Sequence, residues 1–337
     1  MVPMYTILFY FTLIFGSLMA VSSNSWLITW AGLEVNLLAL MPLMSFINNK
    51  QSTEASIKYF MTQAMASAIL IFGSLYYSIL INQTNYFMIE LTSLMIFMSL
   101  MLKIGMTPFH FWLPEVVSGC NWKMIFIILT WQKLAPMMIL YSTTPNPILM
   151  MIIISSSSII SGIQGMNQTC LRKMMAYSSI NHSSWMLAAL MSSLSLWVCY
   201  FMVYSIINFV IIFIFNKFNI MNIKQTNKLF NNNKLLKYMF MFNFLNLGGL
   251  PPFLGFLPKW LVIIDLTENN LESLSFILIV FTLITLFFYM RITMTTFTSN
   301  SEESLILSIK KIKYSYIMMN SMLLMSLIIC SWLSIYV

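Results

Sequence analysis

The chain has 337 residues, 59% of them hydrophobic and 8% charged, with a net charge of +8 and a mean hydropathy of +0.84. That balance excludes a soluble globular domain and makes the chain a polytopic membrane protein, so the positive charge is read first as a topology signal and not as a nucleic-acid footprint. Four cysteines, Cys120, Cys170, Cys199 and Cys330, show no CxxC or Cys/His spacing, which leaves iron-sulfur, zinc and disulfide frameworks without support.

Crossing a hydrocarbon core of ~30 Å takes ~20 apolar residues, and apolar windows separated by polar breaks predict eleven spans. The first is Met4 to Ser22. No basic segment or small-residue cleavage site marks it as a removable signal, and nothing reads as a presequence. The second, Ser25 to Ile47, contains Glu34, and the third is Ile57 to Ile81. The fourth, Leu91 to Val117, is a helix predicted to break. Lys103 lies 13 residues beyond Glu90, roughly 20 Å deep at ~1.5 Å per residue. Gly105 and Pro108 follow, loosening the helix and removing a backbone donor. Irregular backbone at that depth is tolerated only where protein buries it or a water-filled cavity satisfies it. An ionisable residue beside such a break is a transport-site candidate.

The fifth span, Trp122 to Tyr141, contains Lys133. Spans six to eight are Ile148 to Gly165, Met174 to Met191 and Leu194 to Phe215. The Asn/Lys-rich stretch NKFNIMNIKQTNKLFNNNK then reads as a solvated loop. The ninth span, Tyr238 to Ile264, is interrupted by GGLPPF; the tenth is Leu274 to Thr296 and the eleventh Tyr316 to Tyr336.

Basic residues test this count. Lys50 and Lys58, Lys123, Arg172 and Lys173, the lysines at 217, 224, 228, 234 and 237, and then Arg291, Lys310, Lys311 and Lys313 all fall on even-numbered connections. Asp265, Glu268 and Glu272 take the other face. Such one-sidedness is the positive-inside pattern and places the N-terminus on the positive side and the C-terminus opposite. Of the 17 basic residues, only Lys103, Lys133 and Lys259 are left over, as intramembrane groups.

A repeat is also legible. Gly105, Pro108, Phe109, Leu113 and Pro114 recur as Gly249, Pro252, Phe253, Leu257 and Pro258, 144 positions on. The two copies lie in spans four and nine, an odd number apart, so the second crosses in the opposite direction. Paired broken helices in inverted repeats mark a transport pathway; a chance Gly/Pro match is the alternative. The expected organisation is residues 1–142 as a first five-helix repeat, 143–298 as a second, and 299–337 as a loop and last helix, an all-α fold.

Four ionisable groups fall near the centre of their spans: Glu34, Lys103, Lys133 and His182. A buried lysine whose charge depends on its neighbours can take up and release a proton. A static Glu34–Lys103 ion pair that fixes helix register is the alternative, but it leaves Lys133 without a second central carboxylate. His182, in AYSSINHSSW, could carry protons or hydrogen-bond among serines. His110, beyond the break at Pro108, could pass protons on through water or cap freed carbonyls. Lys259 lies off-centre, where a pathway exit and interfacial snorkelling compete. Glu115 and Lys123 read as rim charges, and Ser155 to Ser158 as helix packing. No GxGxxG, P-loop, cysteine cluster or facing histidine pair is present, so redox or nucleotide chemistry would belong to partners.

Five segments carry a resemblance: WAGLEVNLLALMPL around Glu34, LKIGMTPFHFWLPEV around Lys103, LTWQKLAP around Lys133, LRKMMAYSSINHSSWM around His182 and LGGLPPFLGFLPKW around Lys259. Together they resemble mitochondrial NADH dehydrogenase subunit 2, a family of antiporter-like membrane subunits of respiratory complex I, in the eleven-span form that looks like the longer family fold without its first three helices. The Met (32) and Phe (27) content against two arginines is similar to AT-rich animal mitochondrial coding, insect in style; methionine as a filler of irregular packing is the alternative. The resemblance implies a proton-translocating module of the mitochondrial inner membrane, with the N-terminus on the matrix side and the C-terminus on the intermembrane-space side. Electron transfer from NADH to ubiquinone would occur elsewhere in the complex. It implies Glu34 and Lys103 as a coupled pair, Lys133 as central relay, Lys259 towards the exit, and His110 and His182 as supporting polar sites. NADH, FMN, iron-sulfur clusters and ubiquinone would be bound by partner subunits and no cofactor by this chain. Its neighbours would be complex I membrane subunits, especially the antiporter-like subunit 4 and subunit 4L, with phospholipids including cardiolipin, and no nucleic acid. Ile277, 144 positions after Lys133, makes the relay asymmetric between repeats. A free-standing cation/proton antiporter and a non-pumping structural subunit are the other readings.

Overall fold

In lipid each backbone N–H and C=O must be paired inside its own segment, which a helix does at every interior position. The computed structural model describes residues 4–45, 49–80, 86–143, 146–223, 225–226, 234–251 and 253–298. The described residues form thirteen helices and one isolated antiparallel bridge, Cys170 to Asn222. The helices are α1 (Met4–Ser22), α2 (Trp26–Ser45), α3 (Lys50–Leu80), α4 (Tyr86–Ile104), α5 (Trp112–Gly119), α6 (Trp122–Leu129), α7 (Trp131–Thr143), α8 (Pro147–Met166), α9 (Leu171–Ser192), α10 (Leu194–Phe218), α11 (Lys234–Gly248), α12 (Phe256–Glu268) and α13 (Glu272–Thr298). They divide into two compact units, with the division between Ile153 and Ile154 inside α8.

Seven segments among the described residues are long and apolar enough to cross a membrane: α1, α2, α3, the α6–α7 pair, α8, α10 and most of α13. The expected fourth and ninth spans are each split, into α4 and α5 and into α11 and α12. The expected seventh is α9, whose serines, Asn181 and His182 make it too polar to count by composition alone. Every residue of α9 from Met174 to Leu190 is buried. A helix enclosed on all sides has no lipid-facing stripe to keep apolar. The expected eleventh span lies outside the described residues.

Two expectations are corrected. The fifth span is not one continuous helix: it is interrupted at Thr130, whose hydroxyl donates to the Phe126 carbonyl at 2.6 Å while its backbone turns to φ −115°, ψ −73°. Back-bonding of this kind bends helices, and Pro136 further on cannot donate to the preceding turn. The linker after α10 is not simply solvated. Ile220 and Ile223 are buried, and the segment pairs with the start of α9 through Leu171 N–H to the Met221 carbonyl at 2.9 Å and Ile223 N–H to the Thr169 carbonyl at 3.4 Å.

These contacts also group the connections. In the second unit the α8–α9 turn meets the segment after α10, and Arg291 of α13 donates to the Met166 and Gln168 carbonyls at 2.7 and 2.6 Å. Three even-numbered connections therefore gather at one end. In the first unit Lys58 of α3 and Glu115 of α5 form an exposed ion pair at 2.7 Å, joining connections two and four.

The first unit depends on a close helix crossing. A Cβ added at Gly32 of α2 would stand 2.7 Å from the Ala20 backbone nitrogen and 2.8 Å from the Gly16 carbonyl oxygen of α1. Small residues allow such approach in membrane helices, and because the obstructing atoms are backbone no rotamer relieves them. Gly32→Leu is expected to destabilise the unit by about 3 kcal/mol, read as a lower thermal midpoint and less assembled protein on native gels.

Candidate functional site

Each broken helix ends in the same way. At the end of α4, Gly105 takes φ +81° and donates to the Leu102 carbonyl at 3.2 Å, while Met106 N–H reaches the Met101 carbonyl at 3.1 Å. At the end of α11, Gly249 takes φ +74° and donates to the Asn246 carbonyl at 3.0 Å, while Leu250 N–H reaches the Leu245 carbonyl at 3.4 Å. Both are Schellman terminations, which need a residue at positive φ and so favour glycine. The following helices start seven residues later in both copies, at Trp112 and Phe256.

A lysine stands at each carbonyl end, reached from opposite sides of the break. Lys103 is in the last turn of α4 and is 6% exposed. Lys259 is in the first turn of α12, also 6% exposed, and its ammonium reaches back to donate to the Gly248 carbonyl, the end of α11, at 2.8 Å. The partial negative charge of a helix C-terminus favours a cation there. The off-centre lysine of the sequence is thus a buried group on the break, and the snorkelling alternative is not what the geometry shows.

Glu34 of α2 is half-buried, and its Oε2 is buried with no hydrogen-bond partner. It is close enough to Lys103 for their charges to interact, yet the two make no direct ion pair. The only ion pair among the described residues is Lys58 to Glu115. Lys133, 1% exposed, lies in the first turn of α7 just after the Thr130 interruption, its backbone N–H bonded to the Thr130 carbonyl at 3.1 Å; α7 packs on α4. His110 is buried in the loop between α4 and α5, its ring packed on Phe111 with centroids 4.1 Å apart.

Behind each break is a cavity of about 10 Å³, room for about one water. In the first unit it is lined by Leu33, Asn36, Leu37, Tyr59, Gln63, Lys103, Gln132 and Pro136. In the second it is lined by His182, Tyr200, Val203, Tyr204, Ile207, Leu247, Gly255 and Pro258. Val203, Ile207 and Leu247 stand 144 positions after Tyr59, Gln63 and Lys103, so the cavities occupy corresponding places in the two halves of the chain. The basic group is Lys103 in one and His182 in the other. His182 Nδ1 lies 2.9 Å from the Tyr200 hydroxyl, with the Tyr204 ring 5.0 Å away.

Sequence reasoning passed over Asn36, Gln63, Gln132, Tyr200 and Tyr204. A signal was there for three of them, since an amide inside WAGLEVNLLAL, YFMTQAMA or LTWQKLAP is costly in lipid unless it has a partner.

Helices interrupted at membrane depth, with buried lysines at the interruptions, define an antiporter-like membrane protein. The family model described as NADH:quinone oxidoreductase/Mrp antiporter, transmembrane, matches residues 23–288. NADH-ubiquinone oxidoreductase chain 2 of Anopheles gambiae is 44% identical over 301 residues, covering 88% of this chain and 87% of the relative. The chain belongs to the NADH-ubiquinone oxidoreductase chain 2 family. In fold it is similar to a chain of respiratory complex I from Thermus thermophilus with bound aureothin (TM-score 0.85, 20% identity, 96% of this chain and 78% of that one). It is also similar to a chain of the Mrp complex from Dietzia sp. (TM-score 0.75, 16% identity, 83% of this chain and 58% of that one).

Proposed function

We propose that this chain is a proton-translocating membrane subunit of NADH:ubiquinone oxidoreductase in the mitochondrial inner membrane, moving protons through Glu34, Lys103, Lys133 and Lys259 with His110 and His182 as supporting polar sites. The observation that carries the reading is the pair of breaks, each with a glycine termination and a buried lysine at the carbonyl end of the first half-helix. A purely structural subunit has no use for five buried ionisable side chains, Lys103, His110, Lys133, His182 and Lys259, since each costs desolvation energy when charged.

The corresponding cavities and matching terminations support an inverted repeat of five helices, 1–142 and 143–298, within an eleven-span chain. The gathering of even-numbered connections at one end of each unit supports basic loops and N-terminus on the matrix side and C-terminus on the other. NADH, FMN, iron-sulfur clusters and ubiquinone then belong to other subunits, and subunits 4 and 4L and phospholipids, cardiolipin included, are the neighbours. In mechanism, a charge change in the adjoining subunit alters the interaction of Glu34 with Lys103 across their gap. Lys103 responds by exchanging a proton through the cavity water, and Lys133 carries it on.

Lys133→Met in the assembled complex, reconstituted into vesicles, is expected to lower NADH-driven proton pumping about tenfold, and Lys103→Met combined with it to remove pumping. A double variant that pumps at the wild-type rate overturns the proposal.

A further inference from the structure

The first-unit cavity has a polar clasp on its wall that the relay residues do not account for. Asn36 of α2 and Gln132 of α7 bond to one another reciprocally: Asn36 Nδ2 donates to Gln132 Oε1 at 3.0 Å and Gln132 Nε2 donates to Asn36 Oδ1 at 3.1 Å. Asn36 is 2% exposed. A carboxamide has two N–H donors and two acceptor lone pairs, so the reciprocal pair leaves each side chain one N–H and one lone pair over. Both amides line the cavity, together with Lys103 and with Gln63, whose Nε2 donates to the Lys103 carbonyl at 3.4 Å. A site the size of one water that offers it two to four polar partners meets the conditions for ordered buried water.

We propose that this cavity is a single-water site, and that the Asn36–Gln132 clasp is the positioning element that holds the water between Lys103 and the first turn of α7, where Lys133 follows Gln132. This rests on the proton-relay reading and names the part of the path next to Lys103. Three observations converge on it: the cavity's size, its five polar side chains (Asn36, Tyr59, Gln63, Lys103 and Gln132), and the clasp that ties α2, which carries Glu34, to α7, which carries Lys133. The second unit's corresponding cavity has no amide on its wall; there a histidine and two tyrosines provide the polar lining, so the clasp goes with the cavity that a lysine lines.

The test replaces both amides with apolar groups of similar shape, Asn36→Leu with Gln132→Met, in the full chain within the assembled complex. Removing both partners together leaves neither orphaned and costs little stability. NADH-driven pumping per assembled complex is expected to fall at least tenfold, because a misplaced intermediate in a transfer is penalised steeply. The exchanged pair, Asn36→Gln with Gln132→Asn, keeps the summed side-chain length and should restore most of the pumping, whereas Gln132→Asn alone should not. Pumping unchanged in the apolar pair overturns the inference, as does failure of the exchanged pair to exceed Gln132→Asn. The two readings fail separately. If Lys103→Met abolishes pumping but the apolar pair pumps normally, only the clasp's role is lost; if Lys103→Met also pumps normally, the relay itself is lost.

Discussion

Lys103→Met in the assembled complex is expected to lower NADH-driven proton pumping and quinone reduction together, by about 100-fold. Methionine keeps the unbranched apolar stem and fills irregular space, so packing around Leu33, Leu37 and Tyr59 survives. What disappears is the one basic group on that cavity, with Tyr59 and the amides left in place. Both rates fall because, in a coupled machine, electrons cannot continue to flow when the charge movement they drive is blocked. Lys103→Arg separates the two roles left open by the sequence. Arginine supplies a permanent cation that does not release its proton. A lysine serving only as counter-charge to Glu34 would be replaced by it, while a lysine that exchanges protons would not. The expected result is an arginine variant as inactive as the methionine variant, measured as acidification of vesicles per NADH oxidised. Recovery with arginine, or wild-type pumping with methionine, refutes the relay. The absence of a direct Glu34–Lys103 contact already favours this outcome, because a static register-fixing pair is held by contact and these two interact across a gap.

Much of this arrangement could be read from residue order because lipid enforces simple rules. Apolar windows locate the helices, Gly105 and Gly249 with their following prolines locate the breaks, and sorting the basic residues by connection leaves Lys103, Lys133 and Lys259 as a remainder. Other features were hidden for identifiable reasons. The reach of Lys259 to the Gly248 carbonyl spans 11 residues of sequence and depends on how the intervening turn folds back. The Asn36–Gln132 clasp joins residues 96 apart, which no local pattern encodes. The interruption at Thr130 comes from one hydroxyl choosing the Phe126 carbonyl, a choice that threonine makes in some helices and not in others. For α9 the expected span and the helix agree. It reads as the seventh span although its serine content keeps it short of the apolarity of the other spans, and that content is what an entirely enclosed helix can carry, since its hydroxyls donate back to carbonyls of the previous turn, as Ser178, Ser179, Ser183 and Ser184 do.

Gly249→Ala is expected to destabilise the second unit by about 3–5 kcal/mol, from two sources that a double-mutant cycle can separate. The first is conformational: an L-residue at φ +74° costs about 1–2 kcal/mol. The second is local to the site. The new Cβ would stand 2.9 Å from Lys259 Nζ, 3.0 Å from its Cδ and 3.1 Å from its Cε. A lysine stem can move aside, but doing so takes the ammonium off the Gly248 carbonyl, leaving two buried polar groups unpaired at about 2–3 kcal/mol. Lys259→Ala removes all three obstructing atoms. In the double variant only the conformational term of the glycine change remains, so the two single effects should exceed the double by about 2 kcal/mol, measured from thermal midpoints. Strict additivity would mean that the glycine serves backbone conformation alone and that its contact with the lysine is incidental. Gly105→Ala is the matched control. It meets the same left-handed penalty at φ +81°, but the atoms it would crowd belong to Leu113 and Trp112 and not to a lysine. Its cost should therefore not couple to Lys103→Met, and a strong coupling there would show that the first break, like the second, holds its lysine through the glycine.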